Sequence, residues 1–365
     1  MMELTRRDKV FTLVGILLAL FLGALDQTIV ATALPRIVED LQGLERYAWV
    51  ATAYLLASTA LVPIYGKLAD LYSRKTIELG AVGLFLVGSF LCGLSGEFGT
   101  LPLLGDGMNQ LIVFRAVQGL GGAGLFALAF IIIADLFPPS ERGKYQGLVG
   151  ATFGIASVLG PYVGGLLTDY GGGIIPGIAG WRWIFYVNLP FGILALWFII
   201  TRMPALRPRE NSETGLDYLS AALLIAGLVP LLLALSWGGV QYPWASVTIM
   251  ALLAVAVVSL VVFSLRSLRV SNPILDFGLF NNRVFSRANL ALFLLGGAFL
   301  SLVIFLPLFM VQVVGVSATR AGVSLIPLSL GVVAGAIASG QIVSRVGHYR
   351  LWMLLGGGVL AVGLL

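Results

Sequence analysis

One carboxylate sits in the middle of the first long apolar run of this chain, Val10 to Leu34, within the segment Ala24-Leu25-Asp26-Gln27-Thr28-Ile29-Val30. A run of that length can cross a bilayer, and an ionisable residue near the centre of a membrane helix costs roughly 2.5–3.5 kcal/mol on insertion scales. Carboxylates kept at that cost face a bundle interior or a wet cavity, and they mark the path of a proton, an ion or a cationic substrate. A basic counterpart exists. Arg115 lies a few residues inside another apolar run, Leu111–Phe137. At matched depth on separate helices the two could pair until a proton or another cation competes for the carboxylate; a fixed structural ion pair that never titrates is the alternative.

Other chemistry is scarce. Gly119-Leu120-Gly121-Gly122-Ala123-Gly124 satisfies G-x-G-x-x-G, yet it follows no strand and lies inside an apolar helix, where small residues let neighbouring backbones approach closely. Gly150, Gly154, Gly160 and Gly164 read the same way, and Gly160-Pro161 removes a backbone hydrogen bond and is expected to bend its helix. The sequence holds no G-x-x-x-x-G-K-[ST] loop, no metal-ligand spacing and no nucleophile beside a base. No cofactor or metal is expected, and the chain is not expected to be an enzyme. His348 reads as a solvated loop residue and Cys92 as packing. Glu78 and Asp135 fall toward the ends of their spans, where snorkelling or capping would satisfy them.

These residues need elements to hold them. Of 365 residues 59% are hydrophobic and 11% charged, against about 25% charged in soluble domains. Eleven apolar runs of near span length follow one another: Val10–Leu34, Trp49–Ala69, Ile77–Leu94, Leu111–Phe137, Gly147–Leu167, Trp183–Thr201, Tyr218–Trp237, Ala245–Leu265, Leu290–Val314, Ala321–Val343 and Leu351 onward. The expected fold is therefore all-α and polytopic in a membrane. With the N-terminus inside, 17 Lys and Arg fall in cytoplasmic segments and 4 outside, namely Arg36, Arg46, Arg182 and Arg320. That asymmetry sets the orientation and accounts for the net charge of +5 without nucleic acid. It also places Asp26 and Arg115 both in the outer half of the membrane.

The pattern repeats. Gly66 to Lys75 closes the second span, and Gly340 to Arg350 closes the tenth on the same side; Leu34-Pro35 and Leu306-Pro307 are expected to end or interrupt the first helix of each unit. Duplicated halves are the framework of alternating-access transporters. Leu290–Val314 carries no charge, so coupling chemistry is concentrated in the first half. Between the halves a polar linker, Met203–Asp217, precedes two further spans without mid-span charge. The last apolar run ends without a polar cap, and with equal halves the second would lack three spans, so a fragment is expected.

At this point the residues resemble a family, the major facilitator superfamily, and within it the 14-span drug:proton antiporters of the EmrB/QacA type. Gly66–Lys75 is similar to its loop motif between spans 2 and 3, and Arg115-Ala116-Val117-Gln118-Gly119-Leu120-Gly121 to its span 4 motif. Gly150–Gly165, centred on Gly160-Pro161, resembles its antiporter motif; Leu25–Val30 with Ala33-Leu34-Pro35 resembles the first-helix signature, and Trp181–Pro190 the opening of span 6. The resemblance implies a proton-linked pair, Asp26 and Arg115; a cytoplasmic latch from Gly66, Asp70, Arg74 and Lys75; an antiporter bend at Gly154, Gly160, Pro161 and Gly164; and span 4 motif residues Gln118, Gly119 and Gly121. Leu71 and Ser73 depart from the loop motif, where Arg and Gly are usual, and Ser344 replaces the Asp in the second copy.

It further implies a six-helix bundle at 1–202, a linker with two extra helices at 203–287, and the first three helices of a second bundle at 288–365. The function so implied is proton-coupled export of hydrophobic or cationic compounds across the cell membrane, with small hydrophobic molecules, protons, lipid and an envelope-spanning adaptor as partners. The alternatives are an exporter of lipids, secondary metabolites or siderophores, a truncated inactive product, and a non-transporting membrane protein.

Overall fold

The computed structural model describes residues 5–205, 215–315, 325–346 and 349–363. Among them the chain is helical throughout, with no strand beyond two isolated bridges. The helices are α1 (Arg6–Asp40), α2 (Tyr47–Leu71), α3 (Arg74–Gly93), α4 (Gly107–Leu136), α5 (Pro139–Tyr170), α6 (Trp183–Tyr186), α7 (Asn188–Arg202), α8 (Tyr218–Trp237), α9 (Val247–Ser267), α10 (Arg283–Gln312), α11 (Leu325–Val346) and α12 (Tyr349–Gly363). Eight helical stretches among the described residues are long and apolar enough to span a membrane, with α6 and α7 together making one of them. All eleven apolar runs fall on helices, although the tenth begins outside the described residues. His348, Arg207, Arg209 and Arg320 also lie outside them.

Short polar residues start the helices. Thr5, Asp106, Asp217 and Ser246 each accept a backbone N–H from the first turn of α1, α4, α8 and α9, which satisfies donors that a helix end otherwise leaves bare. Two expectations change. Pro35 does not end α1, which runs through it to Asp40, and α10 likewise passes Pro307 and reaches Gln312; a bundle supplies enough packing for a helix to survive one missing hydrogen bond. Conversely, the run Trp183–Thr201 is two helices rather than one, broken at Val187. Pro190 stands at the third position of α7 and has no N–H to give the carbonyl of Tyr186, so the helix restarts there.

Helices α1 and α4 form the centre. Their most apolar windows are 67% and 61% buried, while that of α9 is only 17% buried, so α9 runs along the periphery. Two apolar clusters stack along the bundle. One joins the first half of α1 to the ends of α2 and α4, and the other joins the second half of α1 to Cys92, Met108 and Trp181. Glycines permit the close crossings: a Cβ on Gly119 would lie 2.5 Å from the carbonyl oxygen of Tyr54 on α2, and one on Gly88 2.5 Å from Cα of Gln118. A Cβ on Gly121 would collide with the backbone of Phe85 on α3.

Polar ties fasten both ends. Where α1 begins, Arg74 pairs with Asp135 at 3.0 Å, Lys75 donates to the carbonyl of Ile200 at 2.7 Å and Thr12 to that of Arg202 at 3.5 Å. At the opposite end, Arg46 grips Asp106 bidentately at 2.9 and 2.7 Å, and Trp181 donates to Asp40 at 2.8 Å. Helices α8 and α9 attach to the α2 side through Ile64, Leu224, Phe263 and Ile274, and Lys67 donates to Asn272 beyond α9. Helix α11 lies along α5, and Gly143 meets Gly340 so closely that a Cβ on Gly143 would be 3.3 Å from the Gly340 oxygen.

Two outcomes follow from this packing. Gly121→Val forces a branched side chain against α3, and overpacking costs about 1–3 kcal/mol; thermal unfolding in detergent should show a lower midpoint. Gly66→Ala, with nothing within 4 Å of the added carbon, should leave it unchanged. The second concerns Arg266, whose hydrogen bonds to Asp217 at 2.9 and 3.0 Å hold that carboxyl below its usual range, at about 2. The pair's contribution is therefore whole above the ordinary carboxylate value of about 4 and is lost as pH falls from there. The stability difference between wild type and Asp217→Asn should shrink between pH 4 and pH 2, about the folded value.

Candidate functional site

Asp26 is wholly buried on α1, and its two oxygens meet different donors. Arg115 Nη1 on α4 donates to Oδ2 at 2.5 Å. Gln118 Nε2 donates to Oδ1 at 2.8 Å, and Asn188 Nδ2 reaches the same oxygen at 3.2 Å. Arg115 and Gln118 are three residues apart, which puts both on one face of α4, while Asn188 is the first residue of α7, at the break that Pro190 imposes. The broken span thus delivers an amide to a place that a continuous apolar helix would fill with carbon.

A second layer holds these groups. Arg115 Nη1 also donates to Gln118 Oε1 at 2.7 Å, its Nε reaches the carbonyl of Val50 at 3.4 Å, and its guanidinium carbon stands 4.3 Å from the ring centre of Tyr54. Asn188 Nδ2 donates to Ser89 Oγ at 2.9 Å, and Ser89 in turn donates to the carbonyl of Phe185 at 2.9 Å. Cys92 Sγ donates to Gln118 Oε1 at 3.7 Å. Five helices, α1, α2, α3, α4 and α7, therefore converge on one carboxylate. A buried ion pair tolerates its desolvation only when further hydrogen bonds satisfy the remaining lone pairs and protons, and here they do, with one exception at the site: among the described residues Asn188 Oδ1 is buried without a partner, whereas the hydroxyl of Tyr54 meets the side chain of Gln27.

The sequence placed Asp26 and Arg115 at one depth, and the structure brings them into contact. It did not single out Asn188, Ser89 or Tyr54, and it treated Cys92 as packing alone. The available signal was an amide in an otherwise apolar span, since a buried amide needs partners. Glu78 is a correction. It was expected to be satisfied by snorkelling or capping near the end of its span, but it is wholly buried and neither carboxyl oxygen has a hydrogen-bond partner among the described residues. Helical periodicity is the reason: Glu78, Val82 and Phe85 share one face of α3, and that face is inside.

The remaining motif residues separate. Arg74 pairs with Asp135 and Lys75 with the end of α7, whereas Asp70 is exposed and Gly66 faces open space. These ties join α3 to α4 and to α7; the side chains of α11 beyond Val343 lie outside the described residues. The Gly-Pro segment packs α5 onto α1. A Cβ on Gly160 would strike Thr28 and one on Gly164 would strike Thr32, while Thr28 Oγ1 donates to the carbonyl of Ala156 at 3.0 Å. Pro161 lies inside a continuous α5. Gly154 lines a cavity of about 340 Å³ between α4, α5 and α11, together with Phe130, Gln146, Phe153, Ser157 and Val332. No charged side chain borders that cavity among the described residues, and Asp26 does not reach it.

The family model described as Major Facilitator Superfamily matches residues 16–365. Multidrug resistance protein 3 of Bacillus subtilis (strain 168) is 41% identical over 94% of this chain, and multidrug transporter protein MdtP of the same organism is 39% identical over 93%. The chain spans 63% and 59% of the length of those two relatives. Among solved structures, the human organic anion transporter MFSD10 (TETRAN) matches with a TM-score of 0.59 at 18% identity, over 91% of this chain and 72% of that one.

Removing one member of a buried pair strands the other's charge, at a cost of about 3–5 kcal/mol. Arg115→Gln should accordingly be much less stable in detergent than wild type, and combining it with Asp26→Asn should restore most of the loss. A double-mutant cycle on thermal unfolding reads the coupling directly.

Proposed function

The chain belongs to the major facilitator superfamily, and from that premise we propose that it exports hydrophobic compounds out of the cell in exchange for protons, in the manner of the 14-span drug:proton antiporters. The observation that carries this reading is the Asp26 site: a buried carboxylate held by donors from α4 and α7, the one group there whose charge a single proton can erase. Arginine does not release its proton in proteins, so any proton exchanged at this cluster goes to Asp26. Neutralising it breaks the bond to Arg115 and changes how α1, α4 and α7 hold together, which is how a local charge biases a two-state bundle.

Domains divide accordingly in this proposal. Residues 1–202 form the bundle that carries the proton site, 203–287 the linker with α8 and α9, and 288–365 the opening helices of the second bundle. The N-terminus faces the cytoplasm, in keeping with the Lys and Arg count. The meeting of Gly143 and Gly340 then closes the cytoplasmic side, and the cavity beside it is where cargo rests. Its lining of Phe130, Val149, Phe153 and Val332, with Gln146 and Ser157 as the polar groups, suits an apolar compound able to accept or donate a hydrogen bond. That the two Bacillus subtilis relatives are a multidrug resistance protein and a multidrug transporter supports drugs as the cargo. Asp70, Arg74 and Lys75 act in this reading at the cytoplasmic loop, with Arg74 working through Asp135.

Asp26→Asn, compared with wild type at equal amounts of folded protein reconstituted in the same orientation, should lose proton-driven export. Dye efflux from everted vesicles under an imposed pH gradient measures it, and undiminished efflux would remove Asp26 from the mechanism.

A further inference from the structure

The Asp26 cluster is built of donors, which suits a carboxylate and leaves a neutral acid without an acceptor for its own hydrogen. Arg115 Nη1, Gln118 Nε2 and Asn188 Nδ2 all give hydrogens to Asp26. When a hydronium ion reaches Asp26, one of its O–H bonds breaks as the carboxyl O–H forms and water is left behind; the new hydrogen must then point at a lone pair or remain bare, at the cost of an unmade buried hydrogen bond. Arg115 has no lone pair to offer. Gln118 Oε1 already accepts from Arg115 at 2.7 Å and from Cys92 at 3.7 Å. Ser89 Oγ already accepts from Asn188 and gives its hydrogen to Phe185. The carbonyl of Asn188, by contrast, is fully buried and has no partner among the described residues, although its own amide nitrogen stands 3.2 Å from Asp26 Oδ1.

We infer that the side-chain carbonyl of Asn188 is the acceptor that receives the hydrogen of a neutral Asp26, reached by a half-turn of the amide that exchanges Nδ2 for Oδ1 at the carboxyl. This inference rests on the proposal that Asp26 takes up a proton. Asn188 is a positioning residue in that scheme: it gives a hydrogen to the ionised form and takes one from the neutral form, so that both states are satisfied at one place. An amide does this because it carries a donor and an acceptor on one rotor. The titratable groups that face Asp26 are Arg115 on α4, Tyr54 on α2 and Cys92 on α3. The ring of Tyr54 over the guanidinium keeps a partner for Arg115 when the carboxylate charge is gone.

Infrared difference spectroscopy tests it on the full chain in bilayers, with pH as the perturbation and no cargo. Wild type should show the carbonyl stretch of a protonated carboxylic acid that is missing from Asp26→Asn. In Asn188→Leu that band should move to higher wavenumber, because the acid has lost its hydrogen-bond acceptor, and Asn188→Ser, which keeps a donor and an acceptor, should return it toward the wild-type position. An unmoved band in Asn188→Leu overturns the inference and leaves the proton site standing. Absence of any Asp26 band in wild type overturns the proton reading itself. Should Asn188→Leu fail to insert, wild type grown with isotope-labelled asparagine gives the answer: an asparagine amide carbonyl must shift when Asp26 titrates, and a silent amide region counts against it.

Discussion

The contact between Arg115 and Asp26 is the constraint from which the arrangement of the first seven helices follows. Two opposite charges are kept out of water at 2.5 Å, and neither is tolerable there without the other. Satisfying them takes hydrogen-bonding groups from α2, α3 and α7 as well as α1 and α4, so the pair fixes the rotation of several helices at once. The glycines on α4 serve the same end. Without a Cβ at Gly119 and Gly121, the backbones of α2 and α3 come close enough for Tyr54 and Ser89 to stand beside the site.

Placement along the membrane axis matters as much as the contact itself. The pair lies where the two apolar clusters of the bundle meet, so a change in its charge is felt by side chains toward both ends. Thr28, two residues beyond Asp26 and so on the opposite side of α1, bonds across to α5 and sits against Gly160. Helix α5 in turn bears the cavity and the contact with α11. A continuous series of packed elements therefore runs from α1, which carries the carboxylate, through α5 to its contact with α11. That is a physical route for coupling in the proposed transport cycle, made of threonine side chains set against glycines.

Glu78 shows what such a bundle tolerates away from that route. Its carboxyl is buried with no hydrogen-bond partner, and replacing a buried polar group of that kind by a well-packed apolar one is often neutral or stabilising. Tyr65 is the neighbouring titratable side chain. The contrast with Asp26 lies in the surroundings, not in depth: one acid is ringed by donors from several helices, the other by carbon.

Run lengths, the lone mid-membrane acid, the arginine at the same depth and the excess of basic residues on alternate loops were all legible in the chain, because they depend on local hydropathy and on counting along one dimension. So was the character of the glycine-rich stretch in α4. What the chain could not state is which polar groups meet, since Asn188 approaches Asp26 across 162 positions and Ser89 approaches Asn188 across 99. The break before α7, the passage of α1 through Pro35, the burial of Glu78 and the preference of Arg74 for Asp135 over Asp70 were likewise decided in three dimensions. Periodicity tells a residue which side of its own helix it occupies, but the neighbour on that side is chosen by how helices cross, and crossing is fixed only when all their surfaces are packed together.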